Sequence, residues 1–405
     1  MKDIDLHDNI QVAVPRTKRS KRQLKPVAVP SLFSWQKEES QAAKNRSNRA
    51  RRRSDRGEQP QPNPEVVFEG VDVTEEIIEV DTPDIVLEAT SAPTTLGDSS
   101  TQTPFYPKLS IEELSTNDKM LNYYTGLQNH EHFVYVLSTL GPAAYHLNYR
   151  WRKPINISVE NQLLLTLVKL RLHSPNKEVG FLFGISEFCV SNIFVTWVNF
   201  MYFEWQKLDI WPVKELVDFY MPQDFKDKFP TTRVIIDGVE MPIKKPSKPV
   251  AQQVTFSTYK NKNTIKTIVG VTPGGMVSHI PPAYGGSASD RLLIERDNIH
   301  VKCQRGDSVM ADKGFDIQDI YAPYGVLVNT PTFFRNKNQL SGTEILHDRK
   351  IASKRVHVER LIGLAKTYNI MKTPLNDTET ALGTQIVFVC FMLVNFRNCI
   401  VPKTA

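Results

Sequence analysis

Cysteine is scarce. The 405 residues contain four, Cys189, Cys303, Cys390 and Cys399, and none shows the close spacing of a structural zinc site or a redox pair. Reduced thiols in or near a core are expected instead. Long apolar runs are missing too: the longest, residues 386–394, has nine residues, against roughly 18–20 for a bilayer span. No membrane span is expected. The N-terminal MKDIDLHDNI alternates in charge and has no apolar stretch after a basic start, so it is not read as a secretory signal and an intracellular protein is expected. One segment lacks an entire class of side chain, because residues 57–100 hold 11 acids and no Lys or Arg.

The net charge of +6 therefore hides a polarity. Residues 1–56 hold 15 basic and 6 acidic side chains, and the last 305 residues carry a net +8. Such asymmetry suits a nucleic-acid-binding protein with a solvated tail. The basic clusters Arg16-Thr17-Lys18-Arg19-Ser20-Lys21-Arg22, Lys44-Asn45-Arg46 and Arg51-Arg52-Arg53 read as a nuclear-import signal, recognised by an import receptor, or as an arm on phosphates. A solvated tail without a partner is the alternative. Between the clusters, Ala28-Val29-Pro30-Ser31-Leu32-Phe33 resembles the end of a THAP zinc finger. Only His7 lies upstream and the first cysteine is Cys189, so a remnant or a chance match is read there and no zinc site. Residues 57–107, Pro/Gln-rich and then acidic, are expected to be disordered. Within them Ile77-Ile78-Glu79-Val80-Asp81 and Asp84-Ile85-Val86-Leu87-Glu88 each resemble a SUMO-interacting motif.

From residue 109 the pattern turns helical and runs to a stop at Gly141-Pro142. Ser158 is a plausible N-cap for an apolar helix ended by Ser174-Pro175. A short helix, a turn at Gly184 and a longer helix from Ser186 to about Trp205 give the layout of a helix-turn-helix, or of an ordinary core helix pair. In the first case Glu187, Phe188, Ser191 and Asn192 near the start of the second helix are the DNA-facing candidates. The period then changes. Strands are predicted at residues 233–237, 254–257, 264–271, 276–280, 309–312 and 326–328. Helices are predicted at 289–295, 349–368 and 378–398. Strands followed by alternating strands and helices point to an α/β or α+β domain with a mixed sheet.

Acids ending apolar strands are the informative feature. Asp237 follows Val234-Ile235-Ile236 and Asp312 follows Val309-Met310-Ala311, so each is expected at the edge of a buried sheet, where an unpaired carboxylate is costly. A divalent cation is a natural compensation. On the helix around residue 359, Ile351, Val358, Leu361, Ile362 and Ala365 form one stripe, with Glu359 at its margin. Arg355 precedes Glu359 by one turn and Lys366 follows by two; a plain i,i+4 pair is the simpler account of Arg355 and Glu359.

These residues carry a resemblance. The matches are Val234-Ile235-Ile236-Asp237-Gly238-Val239-Glu240, Phe256-Ser257-Thr258-Tyr259-Lys260 with Thr264-Ile265-Lys266, Val271-Thr272-Pro273-Gly274-Gly275 and Tyr284-Gly285-Gly286-Ser287-Ala288-Ser289-Asp290-Arg291. Gly306-Asp307-Ser308-Val309-Met310-Ala311-Asp312-Lys313-Gly314-Phe315 and Arg355-Val356-His357-Val358-Glu359-Arg360 complete them. In this order they resemble a PIF/Harbinger-type DDE transposase over about residues 230–400, with residues 160–205 matching the family's upstream helical module. The resemblance implies an α/β, RNase H-like catalytic domain over 230–401 preceded by a helical module over 108–215, and composition makes residues 1–107 a disordered region. It implies that Asp237, Asp312 and Glu359 hold two divalent ions, Mg2+ or Mn2+, for cutting DNA phosphodiester bonds and transferring strands. A Myb-like DNA-binding partner and a homo-oligomer assembled on DNA are implied as well. Lys313 stands where relatives commonly carry Arg, which keeps charge but loses a bidentate fork.

Lys244, Lys245, Lys248, Lys260, Lys262 and Lys266 are expected to line a DNA channel, together with Lys313, Arg355 and Lys366, since lysine neutralises phosphate without reading sequence. Asp290 is read mainly as a helix-start acid beside the cap Ser289, Glu240 and Asp316 as exposed acids, and His357 as a structural or phosphate-contacting group. The competing reading is a domesticated, transposase-derived DNA-binding or adaptor protein. A general metal-dependent nuclease is a third.

Overall fold

Short polar residues ahead of apolar periods set the first helices. The computed structural model describes residues 108–332 and 341–401; the basic clusters, the THAP-like stretch and the SUMO-interacting-like motifs lie outside them. Helices α1 (Ile111–Leu114), α2 (Asp118–Thr125), α3 (His130–Thr139), α4 (Val159–Leu172), α5 (Asn176–Phe183) and α6 (Glu187–Gln206) follow in order. Ser110, Asn117, Asn129, Ser158 and Ser186 cap five of them by accepting a bond from the amide three residues on, which satisfies one of the orphan donors of a first turn. The chain turns by 98° between α5 and α6, and Gly184 makes the turn at φ 67°, a left-handed conformation that glycine adopts at no steric cost.

Helices α7 (Lys214–Tyr220) and α8 (Gln223–Lys228) lead into the sheet. The sheet then begins with β1 (Thr232–Pro242), followed by helix α9 (Pro249–Thr255) and strands β2 (Phe256–Ser257), β3 (Lys262–Val271), β4 (Val277–His279) and β5 (Tyr284–Gly285). Helix α10 (Asp290–Asp297), strand β6 (Ser308–Met310), helix α11 (Gln318–Tyr321), strand β7 (Leu327–Asn329) and helices α12 (Gly342–Ala365), α13 (Asp377–Ala381) and α14 (Gly383–Asn395) complete the described chain. The strand path is β2-β3-β1-β6-β7, with β4 and β5 also pairing β3. Strand β1 is antiparallel to β3 and parallel to β6, and β6 is parallel to β7. The sheet is mixed and helix-flanked, as expected.

Several boundaries differ from the sequence reading. Of residues 254–257 only Phe256 and Ser257 are strand: Pro249 at the start of α9 favours a helix that ends at Thr255. Helix α12 begins at Gly342 rather than near 349, because Ser341 and Glu344 form a reciprocal capping box. The expected closing helix is interrupted at Leu382, where a side chain on Gly383 would come 2.2 Å from Ile265 Cδ1. Asp237 lies within β1 rather than at its end, because β3 pairs with β1 as far as Pro242.

Alternation along β1 divides the core. Ile235, Val239 and Met241 join one cluster with α4, α6, α12 and α14, whereas Val234 and Ile236 join a second with Leu293 and Ile294 of α10. Strand residues two apart share a face, so Asp237 faces the α12 side. The first cluster is continuous from Leu163 of α4 to Phe391 of α14, and the described residues belong to one compact unit. Helical module and sheet thus share a core. Trp197 Nε1 donates to Gln162 Oε1 at 3.0 Å, meeting the polar need of the indole between α6 and α4. Among the described residues no single helix is long and apolar enough to cross a membrane.

Candidate active site

Three carboxylates approach one place from three elements. Strand β6 pairs with β1 only through Ile235, so Asp237 stands just beyond the end of its neighbour. Met310 belongs to the α12-side cluster and Ala311 to the other, so alternation returns Asp312 to the side of Asp237. Glu359 comes down from α12, whose inner stripe Ile351, Val358, Leu361, Ile362 and Ala365 is buried as expected.

Each aspartate accepts a bond from the amide that follows it: Gly238 N–H donates to Asp237 Oδ1 at 2.8 Å, and Lys313 N–H to Asp312 Oδ1 at 2.7 Å. Arg355 lies between the other two acids, with Nη1 2.9 Å from Asp312 Oδ1 and Nη2 3.7 Å from Glu359 Oε1. Its side chain is largely covered, whereas those of Asp312 and Glu359 are about half exposed. Burial pushes the Asp237 carboxyl up to about 6, the Gly238 amide and Arg355 oppose the rise, and the charges of Asp312 and Glu359 add to it. The ionised form of Asp237 is thus disfavoured by its surroundings, a cost that a nearby cation offsets.

Oxygen donors crowded by like charge suit a hard divalent cation in kind. Among the described residues, however, no group of three His, Cys, Asp or Glu side chains closes around a single point. Asp312 and Glu359 instead share a guanidinium, a cation standing in for the charge they require. Their chemistry suits such an ion, which would have to take the place that Arg355 holds between Asp312 and Glu359.

The basic candidates fall into two groups. Lys244, Lys245, Lys248, Lys260 and Lys262 are exposed. Lys366 is half-buried close to Asp237, Glu240 and Lys260; burial and Lys260 lower its pKa while the two acids oppose that shift. Lys266 is tied to Asp290 Oδ1 at 2.8 Å, and Lys313 is half-buried.

Asp290 does more than begin α10, because a side chain at Gly238 would meet its Oδ1 at 3.1 Å. A Cβ there would therefore require this carboxylate, paired with Lys266, to shift by a few tenths of an ångström. Arg291 joins Glu295 at 2.8 Å and Asp319 at 2.6 Å. Glu240, expected as an exposed acid, is half-buried and accepts from Thr264 Oγ1 at 2.9 Å. His357 is buried against Phe225 with Nδ1 3.3 Å from the Pro273 carbonyl, a structural position. The sequence reading missed buried Lys354, which pairs with Asp224 of α8.

Of the four helix candidates, Glu187 and Phe188 are exposed and Ser191 is half-buried. Asn192 is corrected. It is 4% exposed, and it accepts from Trp151 N–H at 3.3 Å while its Nδ2 donates to the Arg152 carbonyl at 3.1 Å. Its inner face also carries Val190 and Ile193, so it is an internal anchor and not a base-facing group.

Residues 236–395 match the family model described as DDE superfamily endonuclease, and residues 156–206 match that of the helix-turn-helix of DDE superfamily endonuclease. No curated protein and no solved structure matches the chain. The first span contains Asp237, Asp312 and Glu359; the second contains α4, α5 and α6. Together these matches support a DDE superfamily endonuclease with an upstream helix-turn-helix, and the mixed sheet flanked by helices is consistent with its RNase H-like fold.

Proposed function

We propose that the chain is a metal-dependent DNA endonuclease and strand transferase of the Harbinger type, with Asp237, Asp312 and Glu359 as its catalytic carboxylates. The observation that carries this reading is the convergence of those acids, from β1, the end of β6 and α12, around the guanidinium of Arg355. When bound, two Mg2+ or Mn2+ ions supply acidified water and neutralise charge at the phosphorus and the leaving 3′-oxygen. Asp237, at the covered floor of the cluster, fixes the position of positive charge, and its adjacent Gly238 amide orients the carboxylate. Asp312 and Glu359 stand at the open side, where a phosphodiester can approach. Arg355 and Lys366 offer cations to its non-reacting oxygens, and the exposed lysines continue that path away from the acids.

The helix pair α5–α6 holds duplex DNA with Glu187 and Phe188 toward it. The basic clusters of the N-terminal block serve nuclear import, a Myb-like partner supplies further end recognition, and chains pair on the DNA.

Incubation of terminal-inverted-repeat DNA with Mg2+ or Mn2+ is expected to give strand cleavage that Asp312→Asn abolishes while DNA binding persists. Cleavage that survives this substitution overturns the mechanism. Binding without cutting under any divalent ion selects the alternative, a transposase-derived DNA-binding or adaptor protein.

A further inference from the structure

Asn192 draws attention to the segment it anchors. A buried carboxamide is costly unless both its ends are paired, and here both go to the backbone of Trp151 and Arg152, about 40 residues earlier in the chain. The segment Arg150-Trp151-Arg152-Lys153 is therefore held in a fixed register against α6, although it precedes the span that matches the helix-turn-helix family. Its side chains point the other way: all four residues are exposed. The Trp151 ring lies 5.7 Å from the exposed ring of Phe188, and the Arg150 guanidinium sits 5.5 Å from the Trp151 ring. Among the described residues no carboxylate pairs with Arg150, Arg152 or Lys153.

We infer that residues 150–153 form an arm on duplex DNA, clamped by Asn192 beside the first turn of α6, whose cations contact phosphates flanking the face that Phe188 presents. The inference rests on the DNA-binding reading of the helix-turn-helix and adds a second contact element to it. Charge decides the partner. Three cations in four residues, without a carboxylate partner among the described residues, match the regular negative charge of a duplex backbone. Trp151 and Phe188 stiffen the arm: the indole packs on the α6 side chain and carries Arg150 on its ring. A basic arm beside a recognition helix also follows a known docking logic, in which backbone contacts set register and the helix reads bases.

The test uses the full chain and a mixed-sequence duplex, because phosphate contacts need no specific site. The basic N-terminal block is common to every variant and cancels in the comparison. Replacing Arg150, Arg152 and Lys153 together by Ala is expected to reduce the slope of log affinity against log salt by about 2–3, near 0.9 for each lost phosphate contact. Asn192→Ala is expected to weaken binding several-fold while the slope is retained, because the cations persist but the arm is no longer held. Circular dichroism and the thermal transition of both variants show whether the helix pair is intact; Asn192→Asp, which sets an oxygen against the Arg152 carbonyl and buries a charge, is expected to weaken binding at least as much as Asn192→Ala. An unchanged slope in the triple variant overturns the arm and leaves the endonuclease reading standing. Failure of the wild-type chain to bind any duplex overturns both.

Discussion

Arg355 Nη1 lies 2.9 Å from Asp312 Oδ1, and its other terminal nitrogen lies 3.7 Å from Glu359 on its own helix. The guanidinium thus holds together two carboxylates that otherwise repel. Both acids are about half exposed, so the pair contributes about 1 kcal/mol or less to stability after solvent screening. Arg355→Ala is expected to cost about that much in the absence of divalent ions. The same substitution frees space and negative charge, so Mn2+ is expected to raise the thermal transition of the variant more than that of the wild-type chain. Equal stabilisation of the two by Mn2+, read from melting curves across a metal titration, contradicts competition between guanidinium and metal for the acids.

Asp237 makes metal-free stability depend on pH in a defined direction. Its folded pKa, about 6, lies above the ordinary 3.8, so the folded chain binds the proton more tightly than the unfolded one. Stability therefore falls as pH rises through the interval between those values. Asp237→Asn removes this cost. In chelator it is expected to stabilise the chain by up to about 3 kcal/mol at pH 7, with the gain shrinking toward zero near pH 4. Urea titrations at the two pH values check this, and a gain of the same size at both assigns the effect to something other than ionisation.

The acids were legible in sequence because two follow apolar runs and the third borders an apolar stripe. Val234-Ile235-Ile236 and, of the second run, Val309-Met310 are recovered as sheet, and period two carries Asp237 and Asp312 to one face. The continuation of β1 past Asp237 was not legible, because it depends on pairing with β3 over residues 264–271, a long-range register. The inward turn of Asn192 was hidden for a related reason. Helix α6 is apolar almost all round, so its sequence does not distinguish the inner face from the outer, and only the backbone of Trp151 and Arg152 explains why an amide belongs inside. The start of α12 is different: Ser341 and Glu344 stand at capping-box spacing in the sequence, but the reading began the helix at 349 and passed over them.

Lys169, His173 and Glu379 join the helical segment to α13. Glu379 lies 3.4 Å from Lys169 and 3.0 Å from His173. Burial works to raise its pKa, but His173, the Asn376 amide and Lys169 prevail and bring it down to about 2. Because the folded value is depressed below 4.5, the associated stability is present above that pH and is lost as pH falls toward 2. Lys169 itself is shifted down, with burial outweighing Glu379, so the cation is costly to leave alone. Glu379→Gln is expected to destabilise by about 3 kcal/mol at pH 7. Adding Lys169→Met is expected to recover much of that loss. A double variant as unstable as the sum of the two single ones, by urea denaturation, refutes coupling through a buried pair.

Gly286 belongs to the Tyr284-Gly285-Gly286-Ser287 stretch, and its role is steric. A Cβ there would lie 2.0 Å from Thr264 Oγ1 and 2.9 Å from the carbonyls of Thr255 and Thr264. Gly286 N–H donates to the Thr264 carbonyl at 2.8 Å, which closes the loop against β3. Thr264 Oγ1 in turn donates to Glu240 on β1. Moving the hydroxyl aside would break that link and leave a half-buried carboxylate with one partner fewer, while the two carbonyls cannot rotate away. Gly286→Ala is therefore expected to cost about 1–3 kcal/mol, the usual range for forcing an extra methyl into a packed site. Thr264→Ser combined with Gly286→Ala tests the cause, since removing the Thr264 methyl lets the hydroxyl swing away from the new Cβ. Partial recovery in urea titrations is expected, and a Gly286→Ala chain as stable as wild type shows that β3 and its loop can separate without loss.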